Sequence, residues 1–262
     1  MGFICTVIME EMKDQVAEQL FDLNCLFYQS FGRAFAETRR RIQPGVRRVL
    51  REWAANGHWL DLGCGSGVLA VEWVKAGFQG SYLGVDFSQP LLEEANRNLA
   101  AFALPHDLNI RFEYADLRSD TWVEILHGVL LDGAMMFSVL HHIPGAENRL
   151  QILKNVHRSL KPGGMFIHSE WQFQNSPKLM SRIKPWSLAG IDPTELEEGD
   201  TLLDWRHAAA GQEENQGLRY VHLFSRQELE QLAGDAGFNI EQEFVSDGAG
   251  ERLGLYQLWL KC

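Results

Sequence analysis

Five short apolar runs, HWLDLG, SYLGVDF, IRFEYADL, LLDGAMMFSVL and GMFIHSEW, alternate with stretches of helical periodicity through the middle of the chain. The runs are rich in Val, Ile, Leu and aromatics, as buried strands are. Between them stand GVLAVEWVKAG, QPLLEEANRNLAAF, SDTWVEILHG and AENRLQILKNVHRSLKPGG, read as helices. The last of these sets Leu150, Leu153, Val156 and Leu160 on one face and is stopped by Pro162-Gly163-Gly164. Strands alternating with helices of this length predict parallel βαβ units, with the sheet covered on both faces. The expected fold is therefore α/β and Rossmann-like: a seven-stranded, mostly parallel sheet, helices on both faces, and a C-terminal antiparallel hairpin strand. The hairpin is read from NIEQEFVSDG and LGLYQLWLK, which a short Gly-rich link separates.

Outside this core the rhythm changes. Residues 14–55 read as two helices split at Gln43-Pro44-Gly45, and residues 172–217 carry Pro177, Pro185 and Pro193, the acidic run ELEEGD and two embedded tryptophans. We divide the chain into N-terminal helices over 1–56 that cover the site and a core over 57–262. Within the core, 172–217 forms an inserted lid on the substrate side. Met9 or Met12 is an equally good start as Met1. Four scattered cysteines without CxxC spacing predict a reducing, cytoplasmic setting and no metal site. No run approaches the ~18 apolar residues of a membrane span, so no membrane role is expected. The formal net charge of −11 excludes a surface that grips nucleic acid everywhere. Any polyanion has to meet a local patch such as residues 33–51, with seven arginines against one glutamate. A solvated helix face explains that patch as well.

The first apolar run leads into DLGCGSGV, where Gly63, Gly65 and Gly67 alternate behind Asp61. A strand, a glycine turn and a helix start together make a nucleotide-type site, because free N–H groups and close backbone approach accommodate polar ligand atoms. A dinucleotide loop of the form GxGxxG wants its third glycine where Val68 stands, and no phosphate-binding GxxxxGK[ST] is present. The pattern DxGxGxG is similar to that of class I S-adenosyl-L-methionine (AdoMet) methyltransferases. Acids at the next two strand ends fit the same reading. The resemblance implies Asp61 near the cofactor ammonium, Asp86 on the ribose hydroxyls, and Asp116 with the Leu117 backbone at the adenine. It extends the cofactor set to Phe87 and Ser138. Each acid can also be read as a helix cap.

His141 and His142 follow the fourth strand, at the strand end that faces a ligand crevice. They are candidate catalytic residues, as bases or as acceptor-binding groups; a structural bond to a carbonyl is the other reading. FYQSFGRAFAETR, DLGCGSG, the paired histidines and GLRYVHLFSRQELEQLAGDAGF together resemble the eukaryotic tRNA methyltransferases that esterify the carboxylate of wobble 5-carboxymethyluridine. The resemblance covers roughly 20–170 and 217–260. The chain departs from that family at Ser66, at Ile143 and after strand five, which bears on the acceptor. It implies a carboxylate acceptor that needs no general base, and a small activator protein as partner. The candidate substrate residues are Arg39, Arg40, Trp171, Arg182, Tyr220 and His222. Basic residues interleaved with aromatics in 171–186 suit an unstacked nucleotide, a lid, or plain core packing. The alternatives are a small-molecule O- or N-methyltransferase, or an AdoMet-binding protein without transfer activity.

Overall fold

The computed structural model describes residues 12–37, 41–207 and 215–262. Its helices are α1 (Asp14–Glu37), α2 (Pro44–Glu52), α3 (Val68–Ala76), α4 (Gln89–Leu99), α5 (Ala146–Ser159), α6 (Pro177–Met180) and α7 (Arg226–Ala236). Its strands are β1 (Gly57–Leu62), β2 (Gly80–Asp86), β3 (Leu108–Tyr114), β4 (Leu131–Phe137), β5 (Leu160–Trp171), β6 (Ile183–Lys184), β7 (Asp200–His207), β8 (Asn215–His222), β9 (Phe238–Ser246) and β10 (Gly254–Lys261).

Seven strands form one sheet in the order β3-β2-β1-β4-β5-β10-β9. The pairs among β1 to β5 are parallel, and β10 runs antiparallel to both β5 and β9. The expected seven-stranded sheet with its antiparallel hairpin strand is thus what the chain forms. Side chains alternate between two buried layers. Leu60, Leu62, Leu83 and Val85 join Leu153 and Val156 of α5 and Leu229 and Leu232 of α7 on one face. Trp59, Tyr82 and Met135 join Val46 and Val49 of α2 and Trp73 of α3 on the other. Apolar burial on both faces is why these strands read as near-continuous hydrophobic runs.

Helix ends follow local chemistry. Ser225 caps α7 by accepting from the Glu228 N–H, and Gly237 closes that helix at φ +89°. SDTWVEILHG does not form the helix its pattern suggests: Asp120–Leu126 is a run of 3-10 turns. Thr121, Val123 and Ile125 are β-branched, and His127 at φ +50° ends the segment before a third turn is complete.

The region 172–217 holds more order than its prolines suggest. β6, β7 and β8 make a separate antiparallel sheet, with Leu202, Leu203 and Trp205 buried. Trp205 packs on Phe27 and Phe31 of α1, at ring distances of 5.6 and 5.4 Å. Asn24 of α1 exchanges hydrogen bonds with the Tyr220 backbone: Tyr220 N–H donates to its Oδ1 at 2.8 Å and its Nδ2 donates to the Tyr220 carbonyl at 3.2 Å. The small sheet and α1 therefore form one layer over the strand ends.

Candidate active site

The carboxyl ends of β1, β2 and β4 open into a crevice with two joined chambers. Both include Gly63, Gly65, Leu91, Phe137 and Ser138 in their walls. The first is completed by Phe21, Asn24 and Tyr28 of α1 together with Asp86, Phe87, Asp116, Leu117 and His142. The second reaches past Asp61 and Ser66 to Arg41 and Gln43. Such clefts at the switch point of a parallel sheet are where α/β proteins hold ligands.

The glycine turn shapes the shared wall. Gly63 sits at φ +74°, and a side chain there would run 2.3 Å from Val139 Cγ2. Gly65, at φ +54°, faces open space, with nothing within 4 Å of where a Cβ would be. Its N–H donates to Asp86 Oδ2 at 2.9 Å, and Ser88 N–H donates to Asp86 Oδ1 at 2.8 Å. These bonds aim the Asp86 carboxylate along the turn. Gly67 caps α3 at φ +70°. Ser138 adopts φ +59°, an uncommon conformation for a non-glycine residue, and its N–H donates to Ser169 O at 3.0 Å.

Two buried acids line this floor. Burial pushes Asp61 up to about 7, against the stabilising bond donated by the Tyr82 hydroxyl and with a further push from Asp86. Burial likewise pushes Asp86 up to about 6, opposed by the N–H groups of Ser88 and Gly65. Carboxyls desolvated in this way favour a ligand that brings positive charge and hydroxyl donors. Asp116 is set differently: the Arg118 guanidinium holds it by Nη2 at 2.9 Å and Nε at 3.3 Å, and also bonds Glu18 of α1 at 2.8 Å. Arg118 lies 3.2 Å over the Phe21 ring, and Phe87 meets Phe21 and Tyr28 at 5.8 and 5.9 Å.

The histidines part company. His141 is fully buried; its Nδ1 lies 2.8 Å from Glu170 Oε2, and Glu170 Oε1 lies 3.0 Å from His168 Nδ1. That placement corrects the expectation that both histidines face the crevice: His141 is turned into the core, while His142 lines the first chamber. His142 Nδ1 lies 3.0 Å from the Tyr220 carbonyl and Nε2 lies 3.1 Å from the Tyr28 hydroxyl.

The expected substrate residues are also redistributed. Tyr220 is buried, its hydroxyl donating to Asp200 at 2.8 Å. His222 stands between Asp200 at 2.7 Å and Glu228 at 2.9 Å, and Arg149 joins Glu228 to Glu197. Both residues therefore tie the small sheet to α7 and α5 and do not wall the two chambers. Glu197, Asp200 and His222 bring ligand-type atoms within 4.8 Å of one another, a spacing these internal bonds explain. Trp171 stacks on His141 at 5.3 Å, with Arg219 4.6 Å above its ring. Arg182 is partly exposed on the inserted region, its carbonyl accepting from the Asp204 N–H. Arg39 and Arg40 lie outside the described residues. The wall that α1 contributes was not singled out in the sequence, although Phe21, Asn24 and Tyr28 stand three and four residues apart on one helix face.

Residues 34–243 match the methyltransferase domain family, and the chain belongs to it. Its cofactor is S-adenosyl-L-methionine, which the open Gly65 cradle and the two desolvated acids fit. Among its relatives is the tRNA (carboxymethyluridine(34)-5-O)-methyltransferase of Schizosaccharomyces pombe, 25% identical over 81% of this chain and 87% of that protein. Another is the probable tRNA methyltransferase 9B of Bos taurus, 24% identical over 66% of this chain. The chain spans about a third of the length of such mammalian relatives. A SAM-dependent methyltransferase of Methanosarcina mazei superposes with a TM-score of 0.58, at 21% identity over 84% of this chain and 98% of that one, which shows the fold alone.

Proposed function

We propose that the chain transfers the AdoMet methyl group to the carboxylate of a 5-carboxymethyl group on a tRNA wobble uridine, giving the methyl ester. The observation that carries this reading is the similarity to the S. pombe enzyme across most of both chains. AdoMet supplies an activated methyl on a sulfonium, and the chain's residues supply position. Asp86 receives the ribose hydroxyls, Asp116 and the Leu117 backbone meet the adenine edge beside Phe87, and Asp61 faces the ammonium. Arg41, exposed at the second chamber's mouth, is a cation for the carboxylate end. A carboxylate acceptor arrives ionised, so positioning and electrostatics carry the acceleration and no base is consumed. Burial of His141 against Glu170 accords with that.

In this reading α1 and the 172–217 insertion cover the site, and basic residues around Arg39 and Arg40 meet tRNA phosphates. A small activator protein partners the chain in a cytoplasmic setting. Among the described residues, no helix is long and apolar enough to cross a membrane. A small-molecule acceptor is the second reading, favoured by the net charge of −11 and by basic residues spent on internal pairs, such as Arg48 and Arg51 with Glu52. Methyl-labelled AdoMet offered with tRNA and with a small-metabolite pool, each with and without an activator protein, separates the two. Label in tRNA is expected; label only in the small pool overturns the tRNA reading.

A further inference from the structure

The wall of the first chamber includes His142 and Ile143, in the stretch 138–145 that joins β4 to α5. Side chains from outside this stretch hold its carbonyls. Asn24 Nδ2 donates to His142 O at 3.1 Å, Arg149 Nη1 to Ile143 O at 3.1 Å, and Asn148 Nδ2 to Pro144 O at 2.9 Å. Arg149 is 1% exposed, and a guanidinium so desolvated needs counter-charge close at hand. The inserted region supplies it. Glu197 Oε2 accepts from Arg149 Nη2 at 2.5 Å, whereas Glu228 of α7 stands off at 3.4 Å. Glu197 Oε1 accepts from the Ala146 N–H at 2.8 Å, in the first turn of α5. One carboxylate thus holds both the helix start and the side chain that grips the Ile143 carbonyl.

Glu197 is itself fixed by the small sheet. Its N–H donates to Asp200 Oδ2 at 3.0 Å, and Asp200 Oδ1 meets the Tyr220 hydroxyl and His222 Nδ1. Gly199 O accepts from the Leu223 N–H at 2.9 Å, which closes the segment against the end of β8. A chain of bonds therefore runs from the inserted region through Glu197 and Arg149 to the chamber wall.

We propose that Glu197 is a positioning residue for cofactor binding: through Arg149 and the start of α5 it holds the His142–Ile143 wall in the shape that receives AdoMet. This rests on the placement of AdoMet in the first chamber. Glu197 lies in neither chamber wall, so its effect on the cofactor is indirect. Without the Glu197 charge, Arg149 is left with the more distant Glu228, and its guanidinium turns toward that acid and away from Ile143. The Ile143 carbonyl then loses this donor and the wall loosens. Coupling of this kind is reciprocal, so bound cofactor steadies the inserted segment as the segment steadies the wall.

Glu197→Gln keeps an oxygen for the Ala146 N–H and removes the charge that faces Arg149. Calorimetry should show its AdoMet binding weakened about fivefold to fiftyfold. Tyr220→Phe is the control, because it takes a hydroxyl from Asp200 and loosens the same cluster without touching Glu197 or the wall. Its AdoMet affinity should stay within about twofold of wild type, as for a change outside the coupled path. Hydrogen exchange reads the link without cofactor. The His142 and Ile143 amides, bonded to Val139 O and Leu140 O, should exchange faster in Glu197→Gln than in Tyr220→Phe or wild type. Adding S-adenosylhomocysteine to wild type should protect the Glu197 and Asp200 amides as well as the wall. Arg149→Lys, a single point charge that cannot fork between Ile143 and Glu197, should give the same readings by a second route. Unchanged exchange at His142 and Ile143 in Glu197→Gln, or equal weakening of AdoMet by Glu197→Gln and Tyr220→Phe, overturns the proposal. Unchanged AdoMet affinity in Asp86→Ala instead overturns the chamber placement and the cofactor role with it, while the exchange at His142 and Ile143 still decides whether Glu197 holds the wall.

Discussion

At the scale of single residues, Asp61 and Asp86 show what the crevice costs the chain. Burial raises Asp61 to about 7 from the usual 3.8, so the folded protein holds a proton there that the unfolded chain releases. Stability from this group is therefore greatest at low pH and declines as pH climbs between about 4 and 7. Asp61→Asn keeps an oxygen for the Tyr82 hydroxyl and removes the ionisation. Thermal melts at pH 8 should show the cofactor-free variant stabilised, on the order of 1 kcal/mol or more, while calorimetry shows its AdoMet affinity reduced. A variant no more stable than wild type contradicts the burial argument. If the ammonium faces Asp61 as proposed, AdoMet binds more tightly at pH 8 than at pH 6 in wild type, because below about 7 the ammonium has to displace a proton from Asp61. In the proposed binding mode Asp86→Ala removes charge-assisted bonds to the ribose, worth about 1.5–3 kcal/mol each, and an unchanged affinity in a folded variant excludes Asp86 from the site. These acids were legible because each ends an apolar run. His141 was not, since only packing tells which of two adjacent histidines turns inward to Glu170.

Among elements, the layer of α1 and the β6–β8 sheet was the least legible part. The parallel core announces itself because both faces of each strand are buried and the runs are apolar throughout. β7 hides in a stretch of prolines and acids, because its partners lie outside the core: Trp205 answers to Phe27 and Phe31, far away in sequence. Tyr220 and His222 looked like substrate residues and are instead the bolts of that sheet. His222 places each ring nitrogen on a carboxylate, Asp200 and Glu228, and burial, which alone lowers its pKa, is outweighed by those bonds, so the pKa is raised. The stabilisation is fully present below the ordinary value of 6.5 and is lost as pH rises through the higher folded value. Hydrogen exchange should therefore show β7 and β8 amides opening more readily at alkaline pH, an effect that His222→Gln removes. Protection that stays flat with pH in wild type contradicts the latch. Asn24→Ala should loosen the same layer, costing about 1–3 kcal/mol through the Tyr220 and His142 backbone groups it leaves behind.

For the whole molecule, an acidic chain that binds tRNA has to do so through a concentrated basic surface. Each phosphate contact lowers log affinity by roughly 0.7–0.9 per unit of log salt. Arg39→Ala with Arg40→Ala should weaken tRNA binding and make that slope shallower by about one to two, leaving AdoMet affinity alone. An unchanged slope removes those arginines from the interface. The fold and cofactor class followed from strand ends and glycines, whose demands are local. The acceptor depends on surfaces that no motif encodes. The most direct test uses the chemistry of the product. Wild-type protein is incubated with methyl-labelled AdoMet and tRNA bearing 5-carboxymethyluridine, and the labelled tRNA is then treated with mild alkali. A carboxylate methyl ester hydrolyses and releases the label as volatile methanol, the result this account predicts. Label that survives alkali on the tRNA, as a methyl on nitrogen or an ether oxygen does, contradicts it.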